Sequence, residues 1–276
     1  MKKYIFLNLK RFDIPKSEHG VNSIAPAADW APFIVDAVRD GLAQWAEKAE
    51  FAAFFPEAHV IPAAVAAKGS PMQVGCQAVH FEDVAEGGNF GAFTSLRTAR
   101  SMAALGCNYT IIGHCEERKN YKALCSELRG TNAAAINAIL NREILCAQNA
   151  GLKVLYCVGE SFDEMERREE ILRTQLEEGL KGADLSKLVI AYEPLWAIGP
   201  GRPVPTAEEI QKVARFVKSV VNCPIVYGGG LKEANAQMIA SIPEMDGGLI
   251  ALTRFQGEIG FYPDEYLRII SNYLGC

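Results

Sequence analysis

The sequence predicts an α/β fold closed as a (β/α)8 barrel, in one domain spanning residues 1–276. Three observations carry that expectation. Short apolar runs rich in β-branched and aromatic residues alternate eight times with longer segments of helical period. The strand candidates are apolar along their length, as in parallel sheets covered on both faces. Eight strand–helix units suit closure into a barrel, while an open doubly wound sheet would use the same alternation less completely.

In chain order the predicted strands read KYIFLNL, FAAFF, MQVGCQ, YTIIG, KVLYCVG, LVIAYE, PIVYGG and GGLIAL. Between the first two, residues Asp29 to Lys48 place Trp30, Phe33, Ile34, Val38, Leu42 and Trp45 at spacings of three and four, with Asp29 at the N-cap position. That spacing makes one apolar stripe. Similar stripes follow at Val60–Lys68, Leu96–Leu105, Ala133–Ala150, Asp163–Leu180, Thr206–Val221, Glu233–Ile239 and Tyr262–Leu274. Two connections are long: AVHFEDVAEGGNF before GAFT, and RKNYKALCSELRGT after the fourth strand. Loops of that size in a compact domain are usually functional or interface-forming.

Composition narrows the function classes. The chain is 49% hydrophobic and 22% charged, which supports a packed core, and its net charge of −5 without a basic run argues against nucleic acid as a partner. The opening MKKYIFLNLKR loses its apolar run at Asn8 and Lys10, too early for a signal peptide, and no stretch is long enough to span a bilayer. Eight cysteines without paired or metal-ligand spacing read as reduced thiols of a cytoplasmic protein, with neither metal nor cofactor required.

In a barrel of this kind the site gathers at the carboxyl ends of the strands. Strand one ends in Asn8 and Lys10, strand four in His114, strand six in Glu193, and strand seven in Gly228–Gly230. Taken singly, each has a plain reading: a solvated lysine, a core histidine, half of an ion pair, a turn. Converging, they supply a cation, an electrophile, a base and bare N–H groups for a phosphate, the apparatus for moving a proton next to a carbonyl in a small phosphorylated sugar. Glu116 is a surface acid that could pair with Lys10.

With these residues placed, the chain resembles the triosephosphate isomerase family along nearly its whole length. The likeness rests on NLK, GAFT, IIGHCEER, KVLYCVGE and AYEPLWAIGPGRPVPTAEEI. It implies that Asn8 and Lys10 bind substrate, that His114 is a neutral electrophile, that Glu193 is the base and that Glu116 pairs with the lysine. It implies a lid at Ala197–Gly201 between stiff segments Pro194–Trp196 and Arg202–Val204. Closure brings the Gly199 N–H to the phosphate and presses Ile198 and Leu249 against the carboxylate. Gly229 and Gly230 would hold phosphate from strand seven. Thr94, with the loop before it, would cross to a second subunit in a homodimer.

The sequence departs from the family at several points. Ala251 and Leu252 stand where a phosphate-binding glycine pair is expected, and Arg254 nearby is a candidate compensating charge. Gly230 replaces a serine, Cys115 another serine, and Glu117 an arginine; Ser95 and Leu96 replace a Gly-Glu pair. The losses fall on phosphate binding and assembly. They leave three readings: interconversion of glyceraldehyde 3-phosphate and dihydroxyacetone phosphate, the same chemistry on a four-carbon ketose phosphate such as an erythrulose phosphate, or an idle barrel that binds a sugar phosphate.

Overall fold

The structure is a computed structural model that describes residues 2–127, 133–198 and 202–275. Eight parallel strands close into a barrel in sequence order. They are β1 (Lys3–Asn8), β2 (Ala49–Phe55), β3 (Met72–Cys76), β4 (Tyr109–Ile112), β5 (Lys153–Val158), β6 (Leu188–Tyr192), β7 (Ile225–Tyr227) and β8 (Gly247–Ile250). Closure is made where Tyr4 to Leu7 of β1 pair in register with Gly247 to Ile250 of β8. The fold class expected from the alternation is the one found.

Apolar residues on both strand faces follow from this closure. Phe6, Phe54, Tyr109, Leu155, Val226 and Leu249 point inward and fill the barrel, while Ile5, Leu7, Phe51 and Phe55 point outward to a larger core beneath the helices. Period two along a strand thus serves two cores. The helices are α1 (Trp30–Ala43), α2 (Glu57–Ala66), α3 (Ala99–Ala104), α4 (Cys115–Glu127), α5 (Ala133–Asn149), α6 (Arg168–Gly179), α7 (Ala207–Val220), α8 (Ala236–Ala240) and α9 (Pro263–Leu274). In α1, Trp30, Ile34, Val38 and Leu42 of the expected stripe are buried, whereas Phe33 is 43% exposed and Trp45 lies past the end of the helix.

Two local expectations change. Asp29 sits at the N-cap of α1, but its side chain makes no capping bond and its backbone is already helical (φ −101°, ψ −4°). Much of the connection after the fourth strand is helix: α4 covers it as far as Glu127. None of its residues is buried, so it carries no apolar stripe from which a helix could be read. Among the described residues no helix is long and apolar enough to cross a membrane.

Candidate active site

The carboxyl rim brings Lys10, His114 and Glu193 together. At the end of β1, the Asn8 side chain accepts the Lys10 N–H at 3.1 Å, and Gln77 donates to the Lys10 carbonyl at 2.8 Å. These bonds fix Lys10 at φ 41°, an uncommon backbone for a lysine, and aim its ammonium at Glu116 Oε1, 2.6 Å away. Asn8 is buried. Glu116 therefore pairs with the lysine.

His114 leaves β4 through Gly113, whose φ of 76° favours glycine and whose added Cβ would lie 2.8 Å from the Cys157 carbonyl. Arg118 locks the turn, donating to the Gly113 carbonyl at 2.9 Å and to the Tyr156 hydroxyl and Cys157 carbonyl at 3.0 Å each. The Glu116 main-chain N–H donates to His114 Nδ1 at 3.3 Å. Nδ1 is then an acceptor, and in the neutral ring the proton sits on Nε2, 3.2 Å from Glu193 Oε1. Burial, and then the neighbouring Lys10, push the imidazole pKa down to about 4, against the opposing pull of Glu116. The ring is neutral at physiological pH.

Glu193 follows β6 and is 2% exposed. Its second oxygen accepts the Cys115 N–H at 2.9 Å, at the N-terminus of α4. A helix start favours a negative charge, yet burial outweighs that bond and the Lys10 and Arg118 charges, and raises the pKa to about 8. Cys115 brings its thiol to 3.7 and 3.8 Å from the two His114 ring nitrogens.

The segment after Glu193 is anchored below. Trp196 Nε1, the Tyr192 hydroxyl and Arg168 Nε all donate to Oε1 of the fully buried Glu160, at 2.8, 2.9 and 2.7 Å. Ile198 is half-buried and Leu249 lies in the inner barrel core. Gly199, the expected phosphate donor of the lid, lies outside the described residues.

On the phosphate side, Gly229 packs so closely under Pro194 that a Cβ would lie 3.0 Å from its ring, and Gly230 turns at φ 89°. Ala251 and Leu252 are half-exposed. Arg254 does not face them as a free charge: it donates to Glu265 Oε1 at 2.8 and 2.5 Å and stacks 3.9 Å from the Tyr262 ring. Thr94 stands exposed on the loop after β3 and is not gathered into the cluster within one chain.

Three features escaped the sequence reading. Glu160 sits at a strand end, a position that already invites a functional reading. Lys232, after the glycine turn, rests its ammonium 4.2 Å from the Phe255 ring. Glu117 accepts the Gly113 N–H at 2.5 Å, and its pKa is raised by burial, as is that of the wholly buried Glu143. No local pattern joins these last two acids.

A parallel barrel whose rim sets an imidazole N–H against a buried carboxylate, with an ammonium alongside, is the frame of a proton-transferring barrel enzyme. Comparison with known proteins agrees. The model of the family described as triosephosphate isomerase matches residues 33–270. A triosephosphate isomerase of Synechococcus sp. (strain RCC307) is 35% identical over 210 residues, covering 74% of this chain and 73% of that relative. One of Chlorobaculum tepidum is 33% identical over 263 residues, covering 90% and 95%. The solved triosephosphate isomerase of Bartonella henselae superposes with a TM-score of 0.73 over 99% of each chain at 23% identity, which shows a shared fold. The chain belongs to the triosephosphate isomerase family.

Proposed function

We propose that this protein is an aldose–ketose isomerase that interconverts glyceraldehyde 3-phosphate and dihydroxyacetone phosphate through an enediolate. Glu193 removes a proton from the carbon beside the carbonyl, and the electron pair moves into the carbonyl oxygen. His114 Nε2–H, with the Lys10 ammonium, stabilises the charge that develops there. Return of the proton to the neighbouring carbon completes the isomerisation. Asn8 helps orient the substrate, and Glu116 holds Lys10. Gly199, Gly229, Gly230, Ala251 and Leu252 offer main-chain N–H groups to the phosphate, and Ile198 and Leu249 dry the base as the lid closes.

The observation that carries this reading is the pairing of a neutral, Nε2-protonated His114 with a buried carboxylate 3.2 Å away. Purified protein should turn over the triose phosphates, and Glu193→Gln should lose turnover while still binding a phosphate-bearing analogue. Equal rates in the two proteins would remove Glu193 from its role.

A second reading keeps the mechanism and changes the sugar to a four-carbon ketose phosphate. It is favoured by the β8 end, where Ala251 and Leu252 add carbon and residues 251–262 make a long turn closed by a bridge between Arg254 and Gly260. Comparative turnover of triose and four-carbon ketose phosphates decides it. Turnover of neither, with binding retained, would favour the idle barrel.

We also read the protein as a cytoplasmic homodimer assembled through the loop ending at Thr94. Support comes from Phe90, 89% exposed on that loop, and from the absence of a disulfide among the described cysteines. Light scattering tests the assembly.

A further inference from the structure

We propose that His114, Cys115 and Glu193 form a binding site for Zn2+, and that the ion switches the enzyme off by occupying its base and its electrophile. The inference rests on a donor set and its spacing. An imidazole nitrogen, a thiol sulfur and a carboxylate oxygen from these residues lie within 4.8 Å of one another. His114 Nε2 is 3.2 Å from Glu193 Oε1 and 3.8 Å from Cys115 Sγ. A tetrahedral zinc with bonds of about 2.0–2.3 Å separates its ligands by roughly 3.3–3.7 Å. Sγ stands as near to Nδ1, at 3.7 Å, as to Nε2, so the Cys115 side chain must rotate toward Nε2 to complete the set.

The surroundings suit the ion. The mixture of nitrogen, sulfur and carboxylate oxygen favours a borderline-soft cation over Mg2+ or Ca2+. Metal at Nε2 moves the imidazole proton to Nδ1, and Glu116 Oε2, 3.8 Å from Nδ1, must draw closer to accept its hydrogen bond. The Glu116 N–H gives up its 3.3 Å bond to Nδ1 in exchange. Zn2+ displaces the Cys115 proton, and below about pH 8 the Glu193 proton as well, to solvent, since both groups coordinate in the ionised form. The ion and Lys10 then balance the Cys115 thiolate, Glu193 and Glu116. A cleft of about 300 Å3 lined by Lys10, His114 and Glu116 reaches the imidazole from solvent, and Cys115 is itself partly exposed.

The thiol is what distinguishes this site from an acid–imidazole pair alone, so Cys115→Ser is the informative variant. Purified wild type is titrated with ZnCl2 against a chromophoric chelator, and turnover is followed in parallel. CoCl2 serves as a spectroscopic probe. Expected are one high-affinity zinc per chain, turnover lost in step with occupancy and restored by EDTA, and a near-ultraviolet thiolate-to-cobalt charge-transfer band. Cys115→Ser should lose the band and bind zinc at least about tenfold more weakly. Glu193→Gln should weaken zinc as well, and serves if the serine variant fails a circular-dichroism check of folding. Unchanged zinc affinity in both variants, no thiolate band in the wild type, or full turnover at saturating zinc would each overturn the proposal. Metal-free turnover tests the isomerase reading separately, and the cobalt band does not depend on it.

Discussion

His114 points Nε2 at Glu193 from 3.2 Å while its other ring nitrogen accepts the Glu116 main-chain N–H. This relationship makes the ring a neutral donor and the acid its neighbour, and it sets the first expected outcome. Glu193→Gln should lower kcat by about 10²–10⁴-fold, the usual worth of a positioned base. His114→Ala should lower it by about 10²–10³-fold, the usual worth of one donor to a developing oxyanion. Nitrogen NMR should report His114 as the Nε2–H tautomer down to about pH 4.

The dependence on pH follows from the carboxylate. As the proposed base, Glu193 would act only when ionised, and burial raises its pKa to about 8. In the free enzyme kcat/KM should therefore rise with pH through about 8, and His114, already neutral, should add no limb between pH 5 and 7. A profile flat from pH 6 to 9 would contradict the raised pKa.

Much of this site was legible in the sequence because its parts lie at strand ends, and the strands announce themselves as apolar runs. Asn8 ends β1, and Lys10, His114 and Glu193 follow β1, β4 and β6 within two residues. What stayed hidden depends on contacts between distant segments. Glu143 is on α5, and nothing in the sequence says that it meets Glu117 and Tyr121 from α4. Helix α4 itself was missed because it buries no residue. Arg254, expected as a compensating charge for the phosphate, instead has its guanidinium taken by Glu265.

Two acids behind His114, the half-buried Glu117 and the buried Glu143, bear on stability. Glu117 supports Gly113, and Glu143 accepts the Tyr121 hydroxyl with one oxygen while its other oxygen is buried without a hydrogen-bond partner. Both pKa values are raised, by burial and, for Glu143, by the adjacent Glu117 charge; Arg97 opposes both. The folded chain then holds protons that the unfolded chain releases above about pH 4.3, so this contribution to stability is complete below that pH and lost as pH rises through the folded values. Tm should fall from neutral pH into the alkaline range, and Glu143→Gln, which needs no proton, should flatten that fall. An unchanged slope would deny the pair its part.

Glu160 makes a different demand. Its Oε1 gathers Tyr192, Trp196 and Arg168 under the expected lid, and Arg168 is also 5.8 Å from the Trp196 ring. Glu160→Ala leaves the largely buried Arg168 unpaired, at a cost of about 3–5 kcal/mol. Trp196 fluorescence should change, and kcat and KM should move together because the lid base loosens. Unaltered kinetics in a folded variant would separate this cluster from the lid.

Lys232 and Arg254 offer a test of how the phosphate is held without a glycine pair on β8. Arg254 is spent on Glu265 and Tyr262, whereas the Lys232 Cε lies 3.5 Å from where a Gly230 Cβ would be, with its ammonium over Phe255. Losing a hydrogen bond to a charged group costs about 1.5–3 kcal/mol, or roughly 10–150-fold in affinity. Lys232→Met should raise KM for the phosphorylated sugar, and the inhibition constant of inorganic phosphate, by an amount in that range, with kcat changed far less. Arg254→Met should leave both constants within about threefold and lower Tm through Glu265. The reverse pattern, with Arg254 controlling KM and Lys232 silent, would mean that the loop from Ala251 to Tyr262 rearranges on binding and frees the guanidinium for the phosphate.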